Sequence, residues 1–147
     1  MEYTDNNRGC FQYPNRARQL LRFDGFRYGK ITPTDIDGCF DYHNELFVFF
    51  EVKSEKCNVP KGQLLFLQRI CDCIEQSGKQ ALLIICNHHV TDTSKDIFLA
   101  ECTTKKIYIH HQWIPSLKPI NVKSVVDFYV NKIQEKEFDD LCERINL

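Results

Sequence analysis

Asp35-Ile36-Asp37-Gly38-Cys39-Phe40-Asp41-Tyr42-His43-Asn44-Glu45-Leu46-Phe47-Val48-Phe49-Phe50-Glu51-Val52-Lys53 is the stretch whose reading decides the fold. Two β-prone runs flank a polar His43-Asn44-Glu45 break, the signature of an antiparallel hairpin with a short loop. A turn centred on Asn44 sets Asp37 opposite Glu51 and Asp41 opposite Phe47. Side chains alternate between the faces of a strand. One face therefore carries Ile36, Gly38, Phe40, Tyr42, Leu46, Val48, Phe50 and Val52, and is expected to lie against a helix. The other carries Asp35, Asp37, Cys39, Asp41, Phe47, Phe49, Glu51 and Lys53, with its charge gathered at the open end of the hairpin.

Opposed Cβ atoms in such a pair sit roughly 5 Å apart, so Asp37 and Glu51 can share one divalent cation. Hard carboxylate oxygens suit Mg²⁺ or Mn²⁺, which keep several waters and accept substrate phosphate as further ligands. Lys53 points the same way as Glu51. A metal, a polarised water and a fixed cation together suit phosphodiester hydrolysis, which needs a nucleophile near neutral pH and charge stabilisation on phosphorus. Asp35, one step outward on the same face, is the alternative to Asp37 or a ligand for a second metal.

An acid opening one strand, followed by Glu51-Val52-Lys53 ending the next, resembles the PD-(D/E)XK nuclease superfamily, which includes restriction endonucleases, archaeal Holliday-junction resolvases and RecB-type exonucleases. The wording Thr34-Asp35-Ile36-Asp37-Gly38, with Glu51-Val52-Lys53 and Pro60-Lys61-Gly62-Gln63, also resembles small phage-encoded or prophage-encoded proteins of that superfamily. The likeness spans about residues 15 to 86. It implies an α/β fold with a mixed central sheet flanked by helices, a restriction-endonuclease-like core in the order α-β-β-β-α-β, and Mg²⁺- or Mn²⁺-dependent cleavage of nucleic acid, DNA favoured over RNA. In the RecB and resolvase branches a glutamine on the following helix assists the site, which implies that Gln63 either supports the metal-binding acids or positions water. The superfamily often carries an acid on its first helix. Here that helix is basic, which leaves a third acidic ligand unassigned and offers Arg16 or Arg18 as phosphate contacts.

Working outward, Asn15 can cap a helix from about Arg16 to Phe23, and Phe26 to Ile31 reads as a first strand. Lys56 and Lys61 lie on the polar loop after Glu51-Val52-Lys53, where they can grip a substrate backbone. Gly62 to Gln76 has helical periodicity, with Leu64, Leu65, Leu67, Ile70, Cys71 and Ile74 as its buried stripe and Gly78 as its stop. The continuous apolar run of Ala81 to Cys86 reads as a strand buried on both faces. Asn87, His88 and His89 form its polar end. Ile97 to Cys102 and Lys106 to His110 read as a peripheral hairpin turning at Thr103-Thr104-Lys105. His110, His111 and Trp113 close it, an aromatic end able to stack on a base, although packing in the core is the commoner outcome for Trp113. Val122 to Ile133 is an amphipathic helix, and a separate short helix is expected after Glu135.

The chain has 147 residues, the size of one domain. Hydrophobic content of 43% and charged content of 27% exclude a disordered chain. No apolar run approaches the roughly 18 residues of a membrane span, and no signal-peptide core is visible. The expected setting is therefore the cytoplasm of a prokaryotic cell or a phage-infected host, with the eight cysteines reduced and used mainly as core filler. A net charge of −1 gives no global attraction to nucleic acid, so binding has to use a local basic patch. Arg8, Arg16, Arg18, Arg22, Arg27 and Lys30 form one candidate. A symmetric homodimer, a common arrangement for cutting two strands, stays open. The competing reading is a non-catalytic binding protein on the same scaffold, such as a phage counter-defence factor that occludes a host protein or nucleic acid.

Overall fold

The polar break at residues 43–45 does close the hairpin. In the computed structural model, which describes Asn15 and residues 18–145, β1 (Gly38–Tyr42) and β2 (Leu46–Ser54) pair antiparallel with Asp41 opposite Phe47 and Gly38 opposite Phe50. That is the expected register. His43 and Asn44 take positive φ of 52° and 58°, and Asp41 Oδ1 accepts the Asn44 N–H at 2.6 Å. The Asp41 carboxylate thus stabilises a left-handed turn that costs little at asparagine and more at histidine.

From β2 the chain crosses through α1 (Lys61–Gln76) to β3 (Gln80–His88), which lies parallel to β2. Gly78, at φ 85°, ends α1 as expected. β3 then pairs antiparallel with β4 (Thr103–Ile109), and β4 with β5 (Gln112–Pro115). The result is a five-stranded mixed sheet in chain order, β1-β2-β3-β4-β5. A long helix, α2 (Val122–Ile145), completes this unit. The protein is an α/β fold with a mixed sheet flanked by helices.

Each face of the sheet has its own core. Leu46, Val48, Phe50, Leu82, Ile84 and Cys86 pack with Val122, Val125 and Ile133 of α2. Phe49, Ala81, Leu83, Ile85 and Tyr108 pack with Leu67 and Cys71 of α1. β3 supplies residues to both, which accounts for its unbroken apolar run. Burial pushes the Cys71 and Cys86 thiols up to about 12, so both remain neutral fillers.

Several sequence expectations are corrected. Residues 18–23 are turn and irregular chain, not helix, and 26–31 contain only an isolated Tyr28–Ile31 bridge around a turn at Gly29. Within that region Leu20, Leu21, Phe26 and Tyr28 stay exposed, so no apolar face is buried that would hold a helix or strand in place. The opening β of the expected α-β-β-β-α-β order is therefore not formed, while of the opening α Asn15 is helical and residues 16 and 17 lie outside the described residues. By its contacts the chain divides into two units, Met1–Thr34 and Asp35–Leu147, and the sheet and both helices belong to the second. Ile36 packs on the α1 side, opposite to its assignment by alternation, because regular strand begins only at Gly38. Leu65 is exposed, since the buried stripe runs through Gln63, Leu67 and Cys71, one helical row away.

The peripheral hairpin is also shifted. Ile97 to Cys102 holds a single 3₁₀ turn (Leu99–Glu101), and Thr103 to Lys105 belong to β4. The turn falls at His110 and His111, both at positive φ (49° and 61°), the conformation of a two-residue hairpin turn usually built from Asn-Gly. Two acids of α1 hold it: Glu75 Oε1 accepts the His110 N–H at 3.0 Å, and Asp72 Oδ1 lies 2.8 Å from His111 Nδ1. Trp113 is half-buried against Tyr108, with Lys106 Nζ 4.3 Å above its ring, rather than an open stacking surface. The two expected C-terminal helices are one, of 24 residues. Among the described residues, no helix is long and apolar enough to cross a membrane.

Candidate active site

The site grows from the open end of the β1–β2 hairpin. β1 stops at Gly38, and the next rung is made by a side chain: Asp37 Oδ2 accepts the Val52 N–H at 2.7 Å. This anchors the Asp37 carboxylate at the strand end beside Glu51 and leaves it exposed. Glu51 is the opposite case. Its side chain is completely buried on β2, where the strand pairs with Ile85 of β3.

A buried carboxylate is costly unless its oxygens find partners. Glu51 has two, one for each oxygen. Gln63 Nε2 donates to Oε2 at 2.9 Å, and Lys53 Nζ lies 2.6 Å from Oε1. The second contact is a close ion pair, so Oε1 is held chiefly by the Lys53 charge. Gln63 sits in the first turn of α1 and also reaches the Asp35 carbonyl oxygen at 3.3 Å. One amide thus ties the helix, the segment before β1 and the buried acid together. Gln63→Ala is expected to cost about 1–2 kcal/mol, because Glu51 Oε2 loses its only protein donor among the described residues. Urea denaturation checks this, and Gln63→Glu should cost more by setting two carboxylates together.

Burial raises the Glu51 carboxyl above its ordinary value; the Lys53 contact opposes that rise, and Asp37 and Asp35 add to it. Burial alone would lower the Lys53 ammonium, yet its contact with Glu51 and the field of Asp37 and Asp35 hold it raised. The lysine therefore stays charged through neutral pH. The four groups form one electrostatic unit.

Asp37, Glu51, Lys53 and Gln63 are thus brought together, with Asp35 next to them through its backbone. Lys56 and Lys61 are exposed, Lys56 on the loop after β2 and Lys61 opening α1. Arg18 lies in an exposed turn, and Arg16 lies outside the described residues. Sequence reasoning missed three cleft residues that line up beside Lys53, namely Asn87, Lys105 and Lys106. The signal for Asn87 was available only through register: parallel pairing sets Lys53 directly beside it.

Could these residues hold a divalent metal? Among the described residues, no group of three or more His, Cys, Asp or Glu side chains is placed to do so. Mg²⁺ does not require one, being commonly held by one or two carboxylates with water and substrate phosphate filling the rest of the shell. Asp37, anchored at the strand end, and Glu51, whose Oε1 is paired with Lys53, are hard-oxygen donors of that kind. The residues fit. No protein-family model, curated protein or solved structure matches this chain.

Proposed function

We propose that this protein is a Mg²⁺- or Mn²⁺-dependent nuclease that hydrolyses nucleic-acid phosphodiester bonds, with DNA favoured over RNA. The observation that carries the reading is the fully buried Glu51, gripped by Lys53 at 2.6 Å and Gln63 at 2.9 Å, in a hairpin register that places Asp37 beside it. A chain with no use for a buried charge gains nothing by retaining one, since an apolar residue of similar volume is as stable or more so. The resemblance to PD-(D/E)XK nucleases rests on the same acids and the same lysine.

Asp37 and Glu51 would hold the metal, which when bound supplies Lewis-acid charge and a water of lowered pKa. Lys53 carries a fixed positive charge to where negative charge develops on the phosphate oxygens. Gln63 holds the Glu51 carboxylate in one orientation through Oε2, which leaves Oε1, paired with Lys53, as the oxygen a metal would take. Asp35 adds negative potential that favours cation entry.

A non-catalytic binding protein is the second reading, favoured by one observation: Lys53 already neutralises Glu51 without any metal. The discriminating experiment is cleavage of labelled single-stranded, duplex and branched DNA, and of RNA, with Mg²⁺ or Mn²⁺ against EDTA. Metal-dependent cleavage is expected. Well-folded protein that cleaves none of these and binds no Mn²⁺ would overturn the proposal.

A further inference from the structure

Beside Lys53 the α1 face of the sheet opens into a cleft of about 390 Å³, within the size range of small-molecule pockets, roughly 300–1,000 Å³. Its lining is of two kinds. Val59, Leu64, Ile85 and Pro115 give it apolar walls, while Lys53, Lys105 and Lys106 bring three positive charges. No described residue lining it is acidic. Asn87 also lines it and is 4% exposed, yet its Oδ1 has no hydrogen-bond partner among the described residues. Leaving such a group unpaired is costly, and a ligand that pairs it recovers that cost. An unpaired amide facing a basic, apolar-walled cleft points to a ligand with an anionic group, a flat apolar body and a polar edge.

We propose that this cleft seats one nucleotide of the nucleic-acid strand, with its phosphate on Lys105 and Lys106, its base against Ile85 and Pro115, and its polar edge hydrogen-bonded to Asn87. The inference rests on the nuclease reading for the strand that supplies the nucleotide, and extends it by naming the residues that hold that strand. Lys53 belongs to both places, since it contacts Glu51 and lines the cleft. A nucleotide seated here lies next to the proposed chemistry. An amide presents both a donor and an acceptor, so Asn87 can pair with a base edge in the way asparagine pairs with adenine.

The test is direct binding of dAMP, dCMP, dTMP and inorganic phosphate, followed by calorimetry in EDTA so that no cleavage intervenes. Lys105→Gln/Lys106→Gln is the main variant, because Lys105 is exposed and glutamine keeps the stem of Lys106 over Trp113. Lys132→Ala/Lys136→Ala, exposed on α2 at the opposite face of the sheet, serves as control. Saturable mononucleotide binding is expected, tighter than phosphate alone, weakened about tenfold or more in the main variant and unchanged in the control. Asn87→Asp, which keeps the shape and removes the donor, is expected to change the ranking of the three bases. Mononucleotides that bind no better than phosphate, or a main variant that binds like wild type, would overturn the proposal. If the protein cleaves nucleic acid while the main variant binds nucleotides normally, the cleft assignment falls and the nuclease reading stands. If nucleotide binding is lost in that variant of a protein that never cleaves, the reverse holds.

Discussion

Glu51→Gln is expected to lower metal-dependent cleavage by about 10²-fold or more while leaving the fold intact. Glutamine is nearly isosteric, and its carbonyl oxygen can still accept from Gln63, so the tie between α1 and β2 survives. What goes is the negative charge that the metal requires. The cost of burying that charge goes with it, since burial is the main influence raising the Glu51 carboxyl. Lys53, a quarter exposed, can turn toward water and the Asp37 field. The thermal midpoint should therefore stay close to wild type while Mn²⁺ affinity falls. Parallel cleavage rates, Mn²⁺ calorimetry and a melting curve check this, and a folded Glu51→Gln protein that cleaves at the wild-type rate would remove Glu51 from the chemistry.

Lys53→Met is expected to reverse that balance, costing stability as well as activity. Methionine retains much of the stem but leaves Glu51 buried without its cation, a loss of about 3 kcal/mol for a broken buried pair. The loss should depend on pH with a definite sign. Lys53 is the main influence lowering the Glu51 carboxyl, so its removal lets that carboxyl rise further. A group raised in the folded state stabilises fully below its unfolded value, 4.5 for this carboxyl, and loses that contribution as pH rises through the folded value. The variant should therefore be close to wild type at about pH 5 and fall well below it at about pH 8. Urea denaturation at the two pH values measures this directly. An equal deficit at both would assign the effect to packing of the lysine stem and not to charge.

What the sequence made legible was local. The hairpin register followed from a polar break between alternating runs, and the meeting of Asp37, Glu51 and Lys53 followed from the register. The buried strand β3 followed from its apolar run, and α1 from periodicity and Gly78. The C-terminal helix could have been read as continuous, since neither proline nor glycine falls between Val122 and Ile145. Other features had no local signal. The turn at His110 and His111 uses residues that seldom adopt positive φ, and it is held by Glu75 and Asp72 from an element 35 or more residues earlier. The cleft needed the parallel placement of β3 on β2, and then a register shift between Ile85 and Cys86 opposite β4. Lys105 reads as a turn residue and Lys106 as the first of a strand, because the β-branched pair Thr103-Thr104, which begins β4, reads as a break.

The order of strands in the sheet, identical to their order in the chain, divides the proposed work between two stretches of sequence. The acids, the lysine and the glutamine all come from the segment running from Asp35 to Gln63. Asn87, Lys105 and Lys106 come from later strands laid alongside it. Between those later strands, residues 89–102 form no strand, and most of that connection is exposed. Substitutions at Asn87, Lys105 or Lys106 can reshape the cleft while leaving the Asp37, Glu51 and Gln63 side chains in place. Such a chain can exchange one bound strand for another over evolutionary time without rebuilding the part that does the chemistry.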